Sequence, residues 1–93
     1  VIRVRVKYIS ELLISVTNTS EEEFTVSDCT TLRDLLEAIT RIHGVKLREW
    51  IFNEKGELSG NVLIIVNGEL TLKLNRKLQH GDTVILTIPF DGG

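Results

Sequence analysis

Ninety-three residues, 42% hydrophobic and 26% charged, have the composition of one ordinary globular domain, long enough to bury a core without disulfides or metals to staple it. A net charge of -2 excludes the basic footprint of a nucleic-acid binder, and no apolar run approaches the roughly 18 residues of a membrane span. The single cysteine, Cys29, can form no intramolecular disulfide, which fits a reducing cytoplasm. These bounds predict a cytoplasmic domain over residues 1–93 whose partners include neither nucleic acid nor membrane.

Val1 to Ile9 alternates, with Ile2, Val4, Val6 and Tyr8 on one side and Arg3, Arg5 and Lys7 on the other, the period of a strand with one buried face. Ser10 to Thr19 holds a short apolar patch, Leu12-Leu13-Ile14, and ends in a turn-rich Thr17-Asn18-Thr19-Ser20 that should reverse the chain. Alternation resumes from Glu22 to Val26, so the two strands are expected to form a hairpin. Thr31, followed three residues later by Asp34, is a weak capping box. From there Leu32, Leu35, Leu36, Ile39 and Ile42 follow the spacing of one helical face, and Gly44 supplies a stop.

Val45 to Asn61 is the least regular part, and its anchors Leu47, Trp50, Ile51 and Phe52 suggest a short helical or irregular piece on the sheet edge. Val62 to Val66 is an unbroken apolar run, as in a buried strand, and Asn67-Gly68 is a hairpin signal. Leu70, Leu72 and Leu74 alternate as a return strand. Gln79-His80-Gly81-Asp82 makes a further turn, and Thr83 to Ile88 is a last strand running into a tail, Pro89-Phe90-Asp91-Gly92-Gly93. One long helix must cover one face of a mixed sheet, so the expected class is α+β, a β-grasp, with the first and last strands as parallel neighbours at its centre.

The tail is the stretch that points to chemistry. Gly92 and Gly93 carry no side-chain bulk, so a terminal carboxylate could be threaded down a channel too narrow for other residues. Chance alone gives a terminal Gly-Gly in roughly one chain in two hundred. The pair therefore needs support from the rest of the sequence.

Four motifs in order supply it. Thr31-Leu-Arg-Asp-Leu-Leu36, Leu63-Ile-Ile-Val-Asn-Gly68, Leu78-Gln-His-Gly-Asp82 and Ile88-Pro-Phe-Asp-Gly-Gly93 resemble the ubiquitin-like sulfur carriers, above all the MoaD type, with the related thiamin carrier ThiS and the archaeal ubiquitin-like modifiers. The resemblance implies a substrate rather than an enzyme. An E1-like adenylyltransferase of the MoeB or ThiF type would use ATP and magnesium to adenylate the Gly93 carboxylate, and a sulfur source would replace AMP to leave a thiocarboxylate. The recipient would be the large subunit of molybdopterin synthase, for molybdenum cofactor biosynthesis, or, in a modifier, lysines of target proteins. No cofactor or metal would be held permanently. Phe90 would anchor the root of the tail, and Pro89, lacking an N–H, would end the strand ladder and free the residues beyond it.

Arg3, Arg5, Lys7 and Ile85 are expected on the sheet face opposite the helix, as a docking surface for such partners or as a solvated face. Cys29, with no His or Cys nearby, reads as a small buried thiol. His43 and His80 are too few for a zinc site, and His43 is explained by the helix C-terminal dipole. Glu21-Glu22-Glu23 reads as a solvated edge that discourages strand addition.

Overall fold

The computed structural model describes residues 1–89. The alternation at the start of the chain becomes strand β1 (Ile2–Tyr8), with Val4, Val6 and Tyr8 buried on one face. Strand β2 (Glu21–Val26) pairs with it antiparallel, Val4 opposite Phe24 and Val6 opposite Glu22. Between them lies a helix where the sequence suggested only an apolar patch and a reversal, α1 (Glu11–Thr17). Its start is fixed by the Ser10 hydroxyl, which accepts a hydrogen bond from the Leu12 N–H at 3.1 Å. Asn18, left-handed at φ 61°, ends it by donating its N–H to the Ile14 carbonyl. Seven residues are too few to display a helical period, but they sink Leu13 fully into the core.

Helix α2 (Leu32–His43) opens on the expected capping box: Thr31 Oγ1 accepts from the Asp34 N–H at 3.2 Å, and Asp34 Oδ2 accepts from the Thr31 N–H at 3.0 Å. Leu32, Leu35, Leu36 and Ile39 are wholly buried, each contributing about 1.5–3 kcal/mol by leaving water. Ile42, expected on the same face, is 60% exposed, because the last turn of α2 directs Thr40 and His43 inward and leaves Ile42 to one side.

Gly44, at φ 99°, redirects the chain into α3 (Val45–Ile51), which buries Leu47 and Ile51. The segment after Gly44 was expected on a sheet edge; its helix packs instead against α2 and α1. The seal is Phe52, whose ring is covered by the guanidinium groups of Arg33 and Arg48 at 5.6 and 5.2 Å.

The rest of the sheet comprises β3 (Leu63–Val66), β4 (Glu69–Leu70) and β5 (Thr83–Thr87), in the order β2-β1-β5-β3-β4. As expected of a β-grasp, β1 and β5 are parallel central neighbours. The return strand is shorter than the Leu70-Leu72-Leu74 alternation implied. Beyond Leu70 the backbone is drawn to the start of α2, where the Leu74 and Arg76 carbonyls accept the N–H groups of Arg33 and Leu32 at 3.0 and 2.9 Å. Those first-turn donors have no partner within their own helix, so satisfying them takes precedence over extending the ladder.

The two turn motifs close on each other. Asn67 donates its side-chain amide to Asp82 Oδ1 at 2.8 Å, and Asp82 Oδ2 accepts from the Gln79 N–H at 2.8 Å. The core thus lies between the inner faces of β1, β5 and β3 and the three helices.

Candidate functional site

The parallel pairing of β1 with β5 brings the C-terminal ends of both strands to the same edge of the sheet. Tyr8 stands opposite Leu86, and the Ile9 N–H donates to the Leu86 carbonyl at 3.0 Å. Because β3 runs antiparallel, its first residue, Leu63, faces Thr87, the last residue of β5. Ile88 still packs against the core, whereas Pro89 is exposed. β5 has already ended at Thr87, two residues before Pro89, which can donate nothing to a ladder. Ile9 and Leu12, both more than half exposed, stand at this end of the molecule. Phe90, Gly92 and Gly93 lie outside the described residues.

The face of the sheet away from the helices carries the other candidates. Arg3, Arg5, Lys7 and Ile85 share it, and Lys7 is directly opposite Ile85. The row continues through Ile65 on β3 to Leu70 on β4, so one lysine stands at the head of an apolar line across three strands. Arg5 is already engaged: its guanidinium lies 2.6 Å from Glu21 Oε2 and 3.3 Å from Glu23 Oε2. Arg3 donates its backbone N–H to His80 Nδ1 at 3.0 Å, tying the 79–82 turn to β1.

Leu63, Ile65 and Leu70 are partners in this face that the sequence did not single out. The unbroken Val62–Val66 run was read as a buried strand, but the helices cover only one of its sides. A continuous apolar run in a sheet covered on one face was the available signal, since its outward residues are then left half-exposed.

The remaining candidates fall elsewhere. Cys29, expected as a buried thiol, is exposed in the turn before α2. Glu21 and Glu23 are exposed, but Glu22 turns inward, where its Oε2 accepts from the Tyr8 hydroxyl at 2.7 Å and lies 2.6 Å from His43 Nε2. Burial, reinforced by the bond to Glu22 and its charge, raises the Tyr8 phenol above the ordinary tyrosine range. Among the described residues no group of three His, Cys, Asp or Glu is placed to hold a metal, and no helix is long and apolar enough to cross a membrane. An open hollow of about 940 Å³, lined by Arg48, Phe52, Asn53, Lys55 and Asn61 among others, includes none of the predicted site residues.

A model of the ThiS family matches residues 6–93, a span that includes Lys7, Ile85 and the tail but neither Arg3 nor Arg5. Among solved structures, SAMP1 from Haloferax volcanii, a small archaeal modifier protein, is 26% identical with a TM-score of 0.82, over 98% of this chain and 99% of that one. A putative molybdopterin converting factor subunit 1 from Pyrococcus furiosus is 29% identical with a TM-score of 0.79, over 97% and 100%. The complex of subunits 1 and 2 of molybdopterin-converting factor from Helicobacter pylori matches at 24% identity and a TM-score of 0.60, over 99% and 100%, and at that identity speaks for the fold. No curated protein matches significantly.

Proposed function

The chain belongs to the ThiS family, and from that premise we propose that it is a sulfur carrier whose reactive group is the carboxylate of Gly93. The observation that carries the reading is the family match itself, which runs through the diglycine to residue 93. A carboxylate is a poor electrophile until one of its oxygens becomes a good leaving group. In the proposed sequence that oxygen attacks the α-phosphorus of ATP, pyrophosphate departs, and the acyl-adenylate forms in an E1-like enzyme that supplies the magnesium. Hydrosulfide from a sulfur donor then attacks the carbonyl carbon, AMP leaves and the thioacid loses its proton. The resulting thiocarboxylate donates its sulfur in molybdopterin synthesis, inside a larger partner subunit. The fold acts as a handle, with β5 delivering the terminus and the open sheet face presented beside it. This chain supplies no catalytic group.

The likeness to SAMP1 favours a second reading, in which the same adenylate is captured by a lysine of a target protein. One experiment tests both: incubation with ATP, magnesium, sulfide, the host's E1-like enzyme and a host protein extract, followed by mass spectrometry of the C-terminus and of the extract's lysines. Oxygen replaced by sulfur adds about 16 Da, whereas Gly-Gly remnants on lysines of other proteins indicate conjugation. A mature protein that does not end at Gly93, or a terminus that exchanges no pyrophosphate, overturns the proposal.

A further inference from the structure

The outer sheet face carries three cations, but they are not equivalent. Arg5 is paired within its own sheet with Glu21 and Glu23, so it already has counter-charges before any partner arrives. Arg3 sits toward the opposite end of β1 from the tail root, beside the 79–82 turn. Lys7 is different. Its cross-strand neighbour on β2 is Glu21, whose carboxylate lies 2.6 Å from Arg5, and among the described residues Lys7 itself enters no ion pair. Its other neighbour, Ile85, begins the apolar row. A lysine stem lies along such a surface while its ammonium reaches outward for a counter-charge.

The position also matters. Ile85 is two residues before Thr87, where β5 ends, and Leu63 faces Thr87. An enzyme that takes the tail must stand over the end of β5, and the row led by Lys7 is the sheet surface continuous with that end. On the proposed sulfur-carrier reading, we infer that Lys7, rather than Arg5, is the charge by which this face selects its activating enzyme. That enzyme is an ATP-dependent acyl-adenylating protein presenting an apolar surface to Ile85, Ile65 and Leu70 and a carboxylate to the Lys7 ammonium. A charge at the margin of an apolar contact governs encounter and discrimination more than chemistry, so Lys7 acts on KM and not on kcat.

The test measures ATP–pyrophosphate exchange by the host's E1-like enzyme as a function of carrier concentration. Lys7→Gln should raise KM about fivefold and Lys7→Glu about tenfold at low ionic strength, with kcat unchanged and the difference shrinking in salt. The matched reversal Lys46→Glu, on exposed α3, controls for net charge and should stay within about twofold. The double substitution Arg5→Gln with Glu21→Gln removes the Arg5–Glu21 ion pair without altering net charge, and should likewise stay within about twofold. A KM for Lys7→Gln within twofold of the parent, or a loss from the Arg5/Glu21 double substitution as large as that from Lys7→Gln, overturns the inference. Thermal melts of each variant separate a weakened fold from a weakened contact. If the parent chain itself supports no exchange, it is the sulfur-carrier reading that fails, and the two failures are told apart by that control.

Discussion

Nε2 of His43, in the last turn of α2, lies 2.6 Å from Oε2 of Glu22, a carboxylate aimed inward from the edge strand β2. The same oxygen accepts from the hydroxyl of Tyr8, whose ring meets the imidazole edge-on with centroids 5.9 Å apart. Three elements are thereby fastened at one oxygen, and the Tyr8 hydroxyl has no other partner among the described residues. Glu22→Ala leaves that buried donor unsatisfied and should cost about 1–3 kcal/mol in urea unfolding. For a domain of this size that is a fall in Tm of about 4–8 °C per kcal/mol. Tyr8→Phe removes donor and demand together, so it should cost less than Glu22→Ala; the reverse order would rule out this account of the cluster.

The same phenol sets a limit at high pH. Its folded pKa is raised, first by burial and then by the bond to Glu22 and its charge, so the folded state holds the proton that the unfolded chain gives up. The contribution is complete below the ordinary tyrosine value of about 10 and is lost progressively as pH climbs above it. Denaturant midpoints measured between about pH 9 and 11 should fall, and in Tyr8→Phe that part of the fall should vanish.

At the acid end the corresponding group is Asp34. Its pKa is lowered, chiefly by the backbone hydrogen bond from Thr31 and next by the Thr31 side chain, so the folded state favours the ionised carboxylate. That contribution is present above the ordinary aspartate value of about 3.9 and is lost as pH falls through the lowered one. Thr31→Ala should lower stability at neutral pH by about 1 kcal/mol through loss of the cap. An NMR titration should show Asp34 moving back toward its ordinary value in that variant.

The clasp between the two turns gives a prediction about glycine. Gly81 holds φ at +88° while its N–H donates to the Arg3 carbonyl at 2.8 Å, and no atom lies where a Cβ would stand. Gly81→Ala therefore meets no clash and pays only for backbone conformation, about 1–2 kcal/mol. Asp82→Ala instead strands the Asn67 amide and the Gln79 N–H, and should cost about 1–3 kcal/mol. Equilibrium unfolding should show both losses, and should show them less than additive in the double variant, because both residues hold the same turn.

What could be read from the chain and what could not divide along physical lines. Alternation in β1 and the 3.6-residue spacing of Leu32, Leu35, Leu36 and Ile39 each report a single buried face, so those elements, and with them the β-grasp order, were legible. Helix α1 was not, since seven residues show too little period; Ser10 and Asn18 held its boundaries, but as a cap and a left-handed stop they resemble any turn. The return strand failed for another reason. Alternation at Leu70, Leu72 and Leu74 states a local preference, whereas the need of the Leu32 and Arg33 N–H groups for acceptors arises about 40 residues away in sequence. The outward-facing Leu63 and Ile65 were missed because the continuous apolar run was read only as a buried strand, without asking which of its residues the single covered face leaves outside. Cys29 was misjudged because burial was inferred from residue type, and a residue in the turn between β2 and α2 has little covering it.

The last prediction separates a docking face from mere apolar exposure. Ile85 and Ile42 are both isoleucines with outward-facing surface, but Ile85 lies on the open sheet in line with Lys7, and Ile42 on the final turn of α2, in the opposite layer. If the activating enzyme takes the tail from above the end of β5, only the first of these is covered when it binds. Ile85→Asp places a carboxylate in the apolar row and should raise KM for ATP–pyrophosphate exchange by at least about tenfold, as for a residue at the centre of a contact. Its cost in stability should be about 1 kcal/mol, the span of strand preference. Ile42→Asp should leave KM alone, because a side chain 60% exposed on the helical layer touches neither the tail root nor the row. Equal effects of the two substitutions would mean that the enzyme engages the helical layer, and that the open sheet is merely solvated.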